Sequence, residues 1–249
     1  MVRRTLWITV VAVVAFVVIV VARLPASWVV PAPPAPFACS AVEGSIWSGS
    51  CSGLTVQGTK MGDLAWSVQA LRLLSGKLSA HLVLTRANGS LHGDFAIGLD
   101  RNLTIRNAQA DFPLDRNTLL PATMRTLHGN ARANIVFARV ENGLITQLQG
   151  VIEVHDLEDR GRTVTPYGNY ALTFPAGGAS PPVGQLQDLG GPLAVQGTVK
   201  LMQGRAGFVA EGTVSPRPEA VSSLRNDLQL LGSPDAQGRR QFGPIESTF

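Results

Sequence analysis

Residues 77–99 read KLSAHLVLTRANGSLHGDFAIGL, and this stretch determines the class of fold. On both sides of the Asn88-Gly89 pair, apolar side chains recur at alternate positions. Alternation with a period of two is typical of a strand with one buried face, and Asn-Gly is the strongest short signal for a two-residue turn. The stretch therefore predicts an antiparallel β-hairpin. Its apolar face comprises Leu78, Ala80, Leu82, Leu84, Leu91, Phe95, Ile97 and Leu99.

The same pattern recurs along the chain. Residues 131–154 predict a hairpin around Asn142-Gly143, and residues 193–214 predict another around Gln203-Gly204. Tyr170, Leu172 and Phe174 alternate as in a further strand. In Leu103–Phe112 the apolar positions change parity near Asn107, which predicts a β-bulge. In the first strand of the second hairpin, the apolar set is Ala131, Ala133, Ile135 and Phe137, alternating with Arg132, Asn134 and Ala138.

Helices and loops interrupt these strands. Helical spacing predicts helices over Thr118–Leu127 and Glu219–Leu231, with a short helical turn at Val68–Leu74. Residues 175–192 are rich in Pro and Gly and predict one long loop, so we expect free sheet edges beside it. The mixed-charge run 156–162 predicts a second loop. The expected fold is mainly β: an antiparallel, curved amphipathic sheet with a few short helices, preceded by one transmembrane helix.

The composition excludes several classes of protein. The 249 residues carry a formal charge of only +4, from 21 Lys+Arg against 17 Asp+Glu, which is too small and scattered for a nucleic-acid surface. Charged residues make up 15% and apolar residues 45% of the chain, which argues against disorder. Because Gly is frequent, a helical bundle is also disfavoured.

The N-terminus carries a charge-free apolar run at Leu6–Ala22. Seventeen residues are enough for a short membrane span, while a cleaved signal peptide is the alternative. A cleavable segment has a shorter apolar core with a small-residue cleavage site directly after it, and the site here is poor. Arg3 and Arg4 precede the run, whereas only Arg23 follows it closely. The positive-inside rule therefore predicts a cytoplasmic N-terminus.

These features divide the chain into four predicted parts. Residues 1–5 form a cytoplasmic tail, residues 6–22 the anchor, residues 23–38 a Pro-rich extended linker, and residues 39–249 a periplasmic β-domain. The expected location is the cell inner membrane, crossed once. Cys39 and Cys51 are the two cysteines of the chain and fall on the translocated side. In an oxidising compartment we expect them to form a disulfide, with two buried free thiols as the alternative.

The sequence contains no convincing catalytic constellation. Residues 49–53, GSCSG, resemble a nucleophile elbow, but such an elbow requires a strand-turn-helix setting in an α/β fold. Residues 53–60, GLTVQGTK, lack the Gly-Lys-Ser/Thr order of a phosphate-binding loop. The four histidines lack the spacing of metal ligands, although His81 and His92 could meet across a hairpin. We therefore predict a non-enzymatic protein with no metal or cofactor.

Short segments at both ends of the translocated part carry a family resemblance. The first are Gly44-Ser-Ile-Trp-Ser-Gly49 and Leu64-Ala-Trp-Ser-Val68; the later ones are residues 191–193, 197–198, 211–213, 215–217, 230–235 and 238–242. In this order, behind a short anchor, they resemble the type II secretion system protein N family. We call the following the motif residues: Gly44, Trp47, Gly49, Trp66, Gly197, Gly212, Leu231, Gly232, Asp235, Gly238 and Arg239.

The resemblance implies a single-pass inner-membrane component of the pathway that exports folded proteins across the outer membrane. It implies a scaffold or accessory role, with other type II secretion components as partners and no enzymatic activity. The motif residues are interpreted as structural: the tryptophans as core anchors, the glycines as sites of bulges or close strand approach, and Asp235 as the start of a turn.

A second hypothesis comes from the amphipathic strands themselves. An anchored chain of repeated amphipathic strands also resembles the AsmA-like proteins, whose curved sheets are thought to hold lipid. If the sheet is open, its apolar face provides a groove for acyl chains, and lipid becomes a partner or cargo.

Overall fold

The computed structural model describes residues 12, 13, 16, 19–28, 37–56, 58–114, 126–161 and 163–248. Within these ranges the chain forms a single sheet of 14 strands. The strands are β1 (Phe37–Ala38), β2 (Ala41–Gly44), β3 (Ser48–Val56), β4 (Thr59–Val68), β5 (Lys77–Arg86), β6 (Gly89–Gly98), β7 (Leu103–Leu114), β8 (Leu127–Glu141), β9 (Leu144–Arg160), β10 (Val164–Phe174), β11 (Val183–Asp188), β12 (Leu193–Leu201), β13 (Gly207–Pro216) and β14 (Arg240–Thr248).

The sheet is an open antiparallel meander. From β3 to β14, each strand pairs with the next one along the chain, while β1 and β2 both pair with the outer side of β3. The interrupted strand β1/β2 is therefore one edge of the sheet, and β14 is the other. This arrangement confirms the predicted antiparallel sheet.

The predicted hairpins are present, although the first one turns at Ala87-Asn88, one residue before the predicted Asn88-Gly89, because Arg86 pairs with Gly89. In β5 and β6, Leu84 pairs with Leu91 and Ala80 with Phe95, so the apolar residues of both strands share a face. The turn at Asn142-Gly143 has positive φ at both residues, as a type I′ turn requires. The predicted bulge near Asn107 is confirmed, since the register of β6 and β7 shifts there and Asn107 has a φ of 49°.

A second bulge corrects the predicted alternation in β8. The register of β8 and β9 shifts between Ile135 and Phe137, which reverses the parity of the residues that follow. Phe137 therefore lies on the polar face, where the guanidinium of Arg106 is 5.6 Å from its ring centroid. Ala138, expected on the polar face, is buried instead. The apolar positions of β8 change parity at this bulge because β8 pairs with β7, in which the apolar positions change parity at Asn107.

The predicted loop over residues 175–192 is wrong. It contains β11 (Val183–Asp188), which pairs with β10 on one side and β12 on the other, so the sheet is continuous there. The edges of the sheet were therefore expected in the wrong place. They do not lie beside residues 175–192 but at β1/β2 and β14. Strand β11 lacks an obvious apolar alternation because Gly184 packs against the side chains of Leu172 and Phe174, where a larger residue would clash.

The mixed-charge run 156–162 is also mostly strand. Strand β9 extends to Arg160, and the connection to β10 covers only the next few residues. Asp156 has a φ of 52°, and the register of β9 with β8 shifts beside His155. Long strands with exposed ends tolerate charged side chains, so charge alone did not identify a loop.

Helical structure is sparse in the described residues. The helix Ser222–Gln229 lies within the predicted Glu219–Leu231, and a 3-10 helix, Ala70–Ser75, occupies most of the predicted turn at Val68–Leu74. The helix expected at Thr118–Leu127 falls outside the described residues, apart from its last two positions, and Leu127 begins β8.

The predicted anchor, Leu6–Ala22, lies largely outside the described residues. Positions 19–22 are helical. In the described part of the chain, no helix has the length and apolar character needed to cross a membrane.

The best-buried core lies at the C-terminal side of the sheet. The helix Ser222–Gln229 places Leu224 and Leu228 against β12 and β13. Its cluster of buried residues comprises Leu193, Val195, Val214, Leu224 and Leu228, with Tyr167, Tyr170, Leu186 and Phe242 packed around it.

Candidate functional sites at the two edges of the sheet

The first group of motif residues surrounds the turn between β2 and β3. Gly44 pairs with Gly49 across this turn, and Gly49 in turn pairs with Trp66 of β4. A Cβ on Gly49 would lie 2.5 Å from Cζ2 of Trp66, so only glycine lets the indole cover the strand here. The indole Nε1 of Trp66 donates to the carbonyl of Ser45 at 3.3 Å, which ties β4 to the turn.

The same turn holds the end of the N-terminal segment, which we define as residues 19–28. Nε1 of Trp47 donates to the carbonyl of Val21 at 2.9 Å, and the backbone N–H of Ile46 donates to the carbonyl of Leu24 at 3.1 Å. The 3-10 helix Ala26–Trp28 follows, with Ala26 buried. Trp47 therefore contacts the N-terminal segment, a role that its isolated position in the sequence did not indicate.

A disulfide closes this edge. Cys39 lies at the break between β1 and β2, and it is bonded to the buried Cys51 of β3 with a Cα–Cα distance of 5.5 Å. The predicted disulfide is thus confirmed. Because Cys51 lies in a strand and is bonded, residues 49–53 do not form a nucleophile elbow. The bond joins the interrupted edge strand covalently to the continuous part of the sheet.

The second group of motif residues lies beside β14. Gly197 of β12 pairs with Gly212 of β13, and Gly212 pairs with Phe242 of β14. A Cβ on Gly212 would clash with the backbone of Gln196 and Gly197 and would meet the Phe242 ring at 2.9 Å. The paired glycines therefore allow the aromatic ring to lie over the strands.

A tight turn leads the chain into β14. Oδ1 of Asp235 accepts hydrogen bonds from the backbone N–H groups of Gln237 and Arg239, both at 2.9 Å, and Oδ2 accepts one from Nε of Arg239 at 3.0 Å. The backbone bond from Arg239 is the largest cause that holds the pKa of Asp235 below its usual value. Gly238 supplies a positive φ within the turn, and Gly232 does so after the helix, next to the exposed Leu231.

An ion pair that the sequence did not reveal supports the C-terminal core. Asp188 of β11 accepts hydrogen bonds from Nη2 of Arg217 at 2.6 Å and from the backbone of Val195 at 3.1 Å and Gly190 at 3.2 Å. Burial alone would raise the pKa of Asp188, but these bonds and the Arg217 charge together hold it below its usual value. Arg217 lies within the motif segment 215–217, whereas its partner lies in the stretch predicted to be a loop.

Tyr170 lies next to this ion pair. Its hydroxyl donates to the carbonyl of Tyr167 at 2.7 Å. Burial, and then the neighbouring Asp188 carboxylate, raise the pKa of Tyr170 to about 12. Both effects favour the neutral phenol, so Tyr170 acts as a structural donor at neutral pH.

The motif residues thus form two separate groups, one at each side of the sheet, with strands β5 to β11 between them. Of the histidines, His81 contacts Asp94 at 2.9 Å and does not pair with His92, which faces Val83. Across the part of the chain that the structure describes, no three His, Cys, Asp or Glu residues are grouped so as to hold a metal ion. The geometry offers surfaces and edges for binding.

The structure thus defines a class of protein built on one open antiparallel sheet, with its motif residues at both edges. Within it, the family model for the type II secretion system (T2SS), protein N, matches residues 35–243, so the chain belongs to this family. The curated type II secretion system protein N of Aeromonas hydrophila is 26% identical over 235 residues, covering 91% of this chain and 92% of that protein. No solved structure matches the chain.

Proposed function

We propose that this secretion component is a non-enzymatic scaffold of the inner membrane that helps folded proteins leave the periplasm across the outer membrane. The observation that supports this most directly is the position of the motif residues at the two edges of one open sheet. Edges and the turns beside them are the parts of a sheet that are available to another protein. Other type II secretion components are the proposed partners.

The proposed topology places the N-terminus in the cytoplasm and residues 39–249 in the periplasm. Arg3 and Arg4 before the apolar run support this orientation. The Cys39–Cys51 disulfide supports it independently, since disulfides persist in the periplasm and are rare in the cytoplasm. An alkaline phosphatase fused after residue 60 should be active; an inactive fusion in a chain that still inserts contradicts the orientation.

The polar face of the sheet offers a second surface for partners. Arg132 of β8 pairs with Asp111 of β7 at 3.1 Å, and both side chains are exposed. Such a pair contributes little to stability, so changing its charge leaves the fold intact. A charge reversal at Arg132 can therefore test a contact with a partner without unfolding the sheet.

The decisive experiment uses a strain that lacks this gene and is complemented by the full-length protein. The amount of a type II substrate is measured in the medium and in the periplasm. Deletion should retain the substrate in the periplasm, and the wild-type chain should restore export. Arg132→Glu should restore it less well, while Arg132→Gln serves as the milder matched variant. Normal export in the deletion strain would overturn the proposal.

A second candidate function is lipid binding, and one observation favours it. The apolar face of β4 to β9 carries half-buried side chains such as Leu82, Phe95 and Ile152, whereas the helix Ser222–Gln229 packs against β12 and β13. Beside these strands, the helical element in the described part of the chain is the short 3-10 helix Ala70–Ser75, which contacts β5. Phospholipid copurifying with the protein, together with altered outer-membrane lipids and normal secretion in the deletion strain, would favour this function.

A further inference from the structure

Exposed leucine and isoleucine side chains cluster at one end of the strands. We define the leucine patch as Leu71, Leu73, Leu78, Ile97 and Leu99, which lie in and beside the β4–β5 and β6–β7 connections. Leu71 is 83% exposed and Leu99 is 89% exposed. The two connections are neighbours, since a Cβ on Gly76 would lie 3.0 Å from Cδ1 of Leu99. Adjacent exposed apolar side chains of this size mark a surface that meets an apolar partner.

Basic side chains accompany the leucine patch. Arg72, Lys77 and Arg101 are all exposed and alternate with its apolar members. The acidic side chain among them, Asp100, accepts hydrogen bonds from Asn102 and has Nη2 of Arg139 at 3.9 Å. The patch therefore combines leucines with an excess of positive charge. This combination fits the surface of a bilayer that contains anionic lipid.

The N-terminal segment leaves the sheet at the same end. Trp47 donates from Nε1 to the carbonyl of Val21, and its own carbonyl accepts from the backbone N–H of Val68 at 2.6 Å. Val68 ends β4, directly before the connection that carries Leu71. Trp28, at the end of the 3-10 helix Ala26–Trp28, is 77% exposed. Three features suited to a membrane interface thus lie at one end of the sheet.

We propose that the leucine patch binds the periplasmic surface of the inner membrane through anionic phospholipids. This inference rests on the proposed anchoring of the N-terminus. The patch lies at the end of the sheet from which the anchor leaves, so the anchor holds it close to the bilayer. Contact at a second point fixes the tilt of the sheet, with the β4–β7 end against the membrane and the opposite end directed into the periplasm.

The test uses the full-length protein with a single introduced cysteine. Because both native cysteines are in the disulfide, a thiol at Leu99→Cys can be labelled with nitrobenzoxadiazole without reductant. The matched control is Leu230→Cys, because the side chain of Leu230 is 87% exposed and lies at the opposite end of the sheet. Each protein is reconstituted into phosphatidylcholine vesicles with or without phosphatidylglycerol. At position 99 we expect blue-shifted emission that shallow spin-labelled lipid quenches, more strongly with phosphatidylglycerol; position 230 should be unaffected.

Charge variants separate contact with lipid from contact between two copies of the chain. Each basic residue near an anionic surface strengthens binding roughly fivefold, so Arg72→Gln with Lys77→Gln should strongly reduce the phosphatidylglycerol effect. Quenching at position 99 equal to that at position 230 overturns the inference. A signal that depends on protein concentration and is insensitive to lipid quencher assigns the patch to a second copy, and also overturns it. Resistance to alkaline extraction tests the anchor separately, so failure of the two proposals can be distinguished.

Discussion

The C-terminal and middle parts of the sheet have the same alternating pattern but different burial. In β10 to β14, the helix Ser222–Gln229 closes one face and buries Leu193, Val195 and Val214. In β4 to β9, the described residues that are buried are mainly small, with Leu84 the one large side chain, beside Ala108 and Ala138. Alternation therefore makes an amphipathic strand, but a tightly packed core needs a second layer to cover it.

The two edges of the sheet also differ in how much packed core supports them. The β14 edge is supported by the helix, by Phe242 over paired glycines and by the Asp188–Arg217 ion pair. The β1/β2 edge has the disulfide and the contacts of Trp47 and Trp66. A covalent bond stabilises an edge that has little core beneath it, because it limits the freedom of the unfolded chain.

The largest expected effect is the loss of Leu224. Leu224→Ala should lower the free energy of unfolding by about 2–5 kcal/mol, since it leaves a cavity between helix and sheet. The matched change in the middle part, Leu82→Ala, should cost less than about 2 kcal/mol because that side chain is only half buried. Urea unfolding followed by circular dichroism measures both. Equal losses would contradict the contrast between the two parts.

Removing the disulfide should have the next largest effect. Cys39→Ala with Cys51→Ala should lower the free energy of unfolding by about 3 kcal/mol, as expected for a short closed loop. The loss should be greatest locally: amide hydrogen exchange should accelerate more in β2 and β3 than around Val214. Acceleration spread equally over both edges would show that the disulfide supports the entire sheet.

The ion pair of the C-terminal part should give a smaller effect that depends on pH. Asp188→Asn should cost about 1–3 kcal/mol at pH 7, because it weakens charged hydrogen bonds to Arg217. The folded-state pKa of Asp188 lies below its value in the unfolded chain, so its stabilisation is present above the unfolded value and is lost as pH falls through the folded one. The difference between wild type and variant should therefore shrink on acidification toward pH 3. A difference independent of pH would assign the effect to packing.

The smallest effect is expected on the polar face of the middle part. Arg132→Gln should change the free energy of unfolding by less than about 1 kcal/mol, since both Arg132 and Asp111 are exposed. Added salt should reduce even this difference. Measurements at low and high ionic strength provide the check, and a larger loss that persists in salt would mean that the polar face contributes to the fold.

Local patterns predicted the hairpins well. The turn at Asn142-Gly143, the bulge at Asn107 and the helix around Leu224 each depend on residues close in sequence, so short windows contain the signal. Cys39 and Cys51 belong with them, because a chain with two cysteines has a single intramolecular pairing. Arg217 lies in a motif segment, but no pattern in the sequence identified it as one half of an ion pair.

Three features could not be predicted from the sequence: strand β11, the face of the sheet on which Phe137 lies, and the partner of Arg217. In β11, Gly184 packs beneath side chains of the neighbouring strand. The strand therefore lacks a regular alternation of apolar residues. Phe137 follows a bulge that involves β7, β8 and β9. It contacts Arg106 only once these strands have paired. Asp188 acquires its role from a residue far along the chain.

The sequence by itself determined the antiparallel sheet, most of its turns and the disulfide, because turn chemistry and alternation act over a few residues. Only the tertiary structure decided where the sheet ends, which face of each bulged strand is apolar, and which part acquires a packed core. These properties depend on strand pairing and on the placement of one helix. The same pairing brought Trp47 to the N-terminal segment and the leucine patch to one end of the sheet.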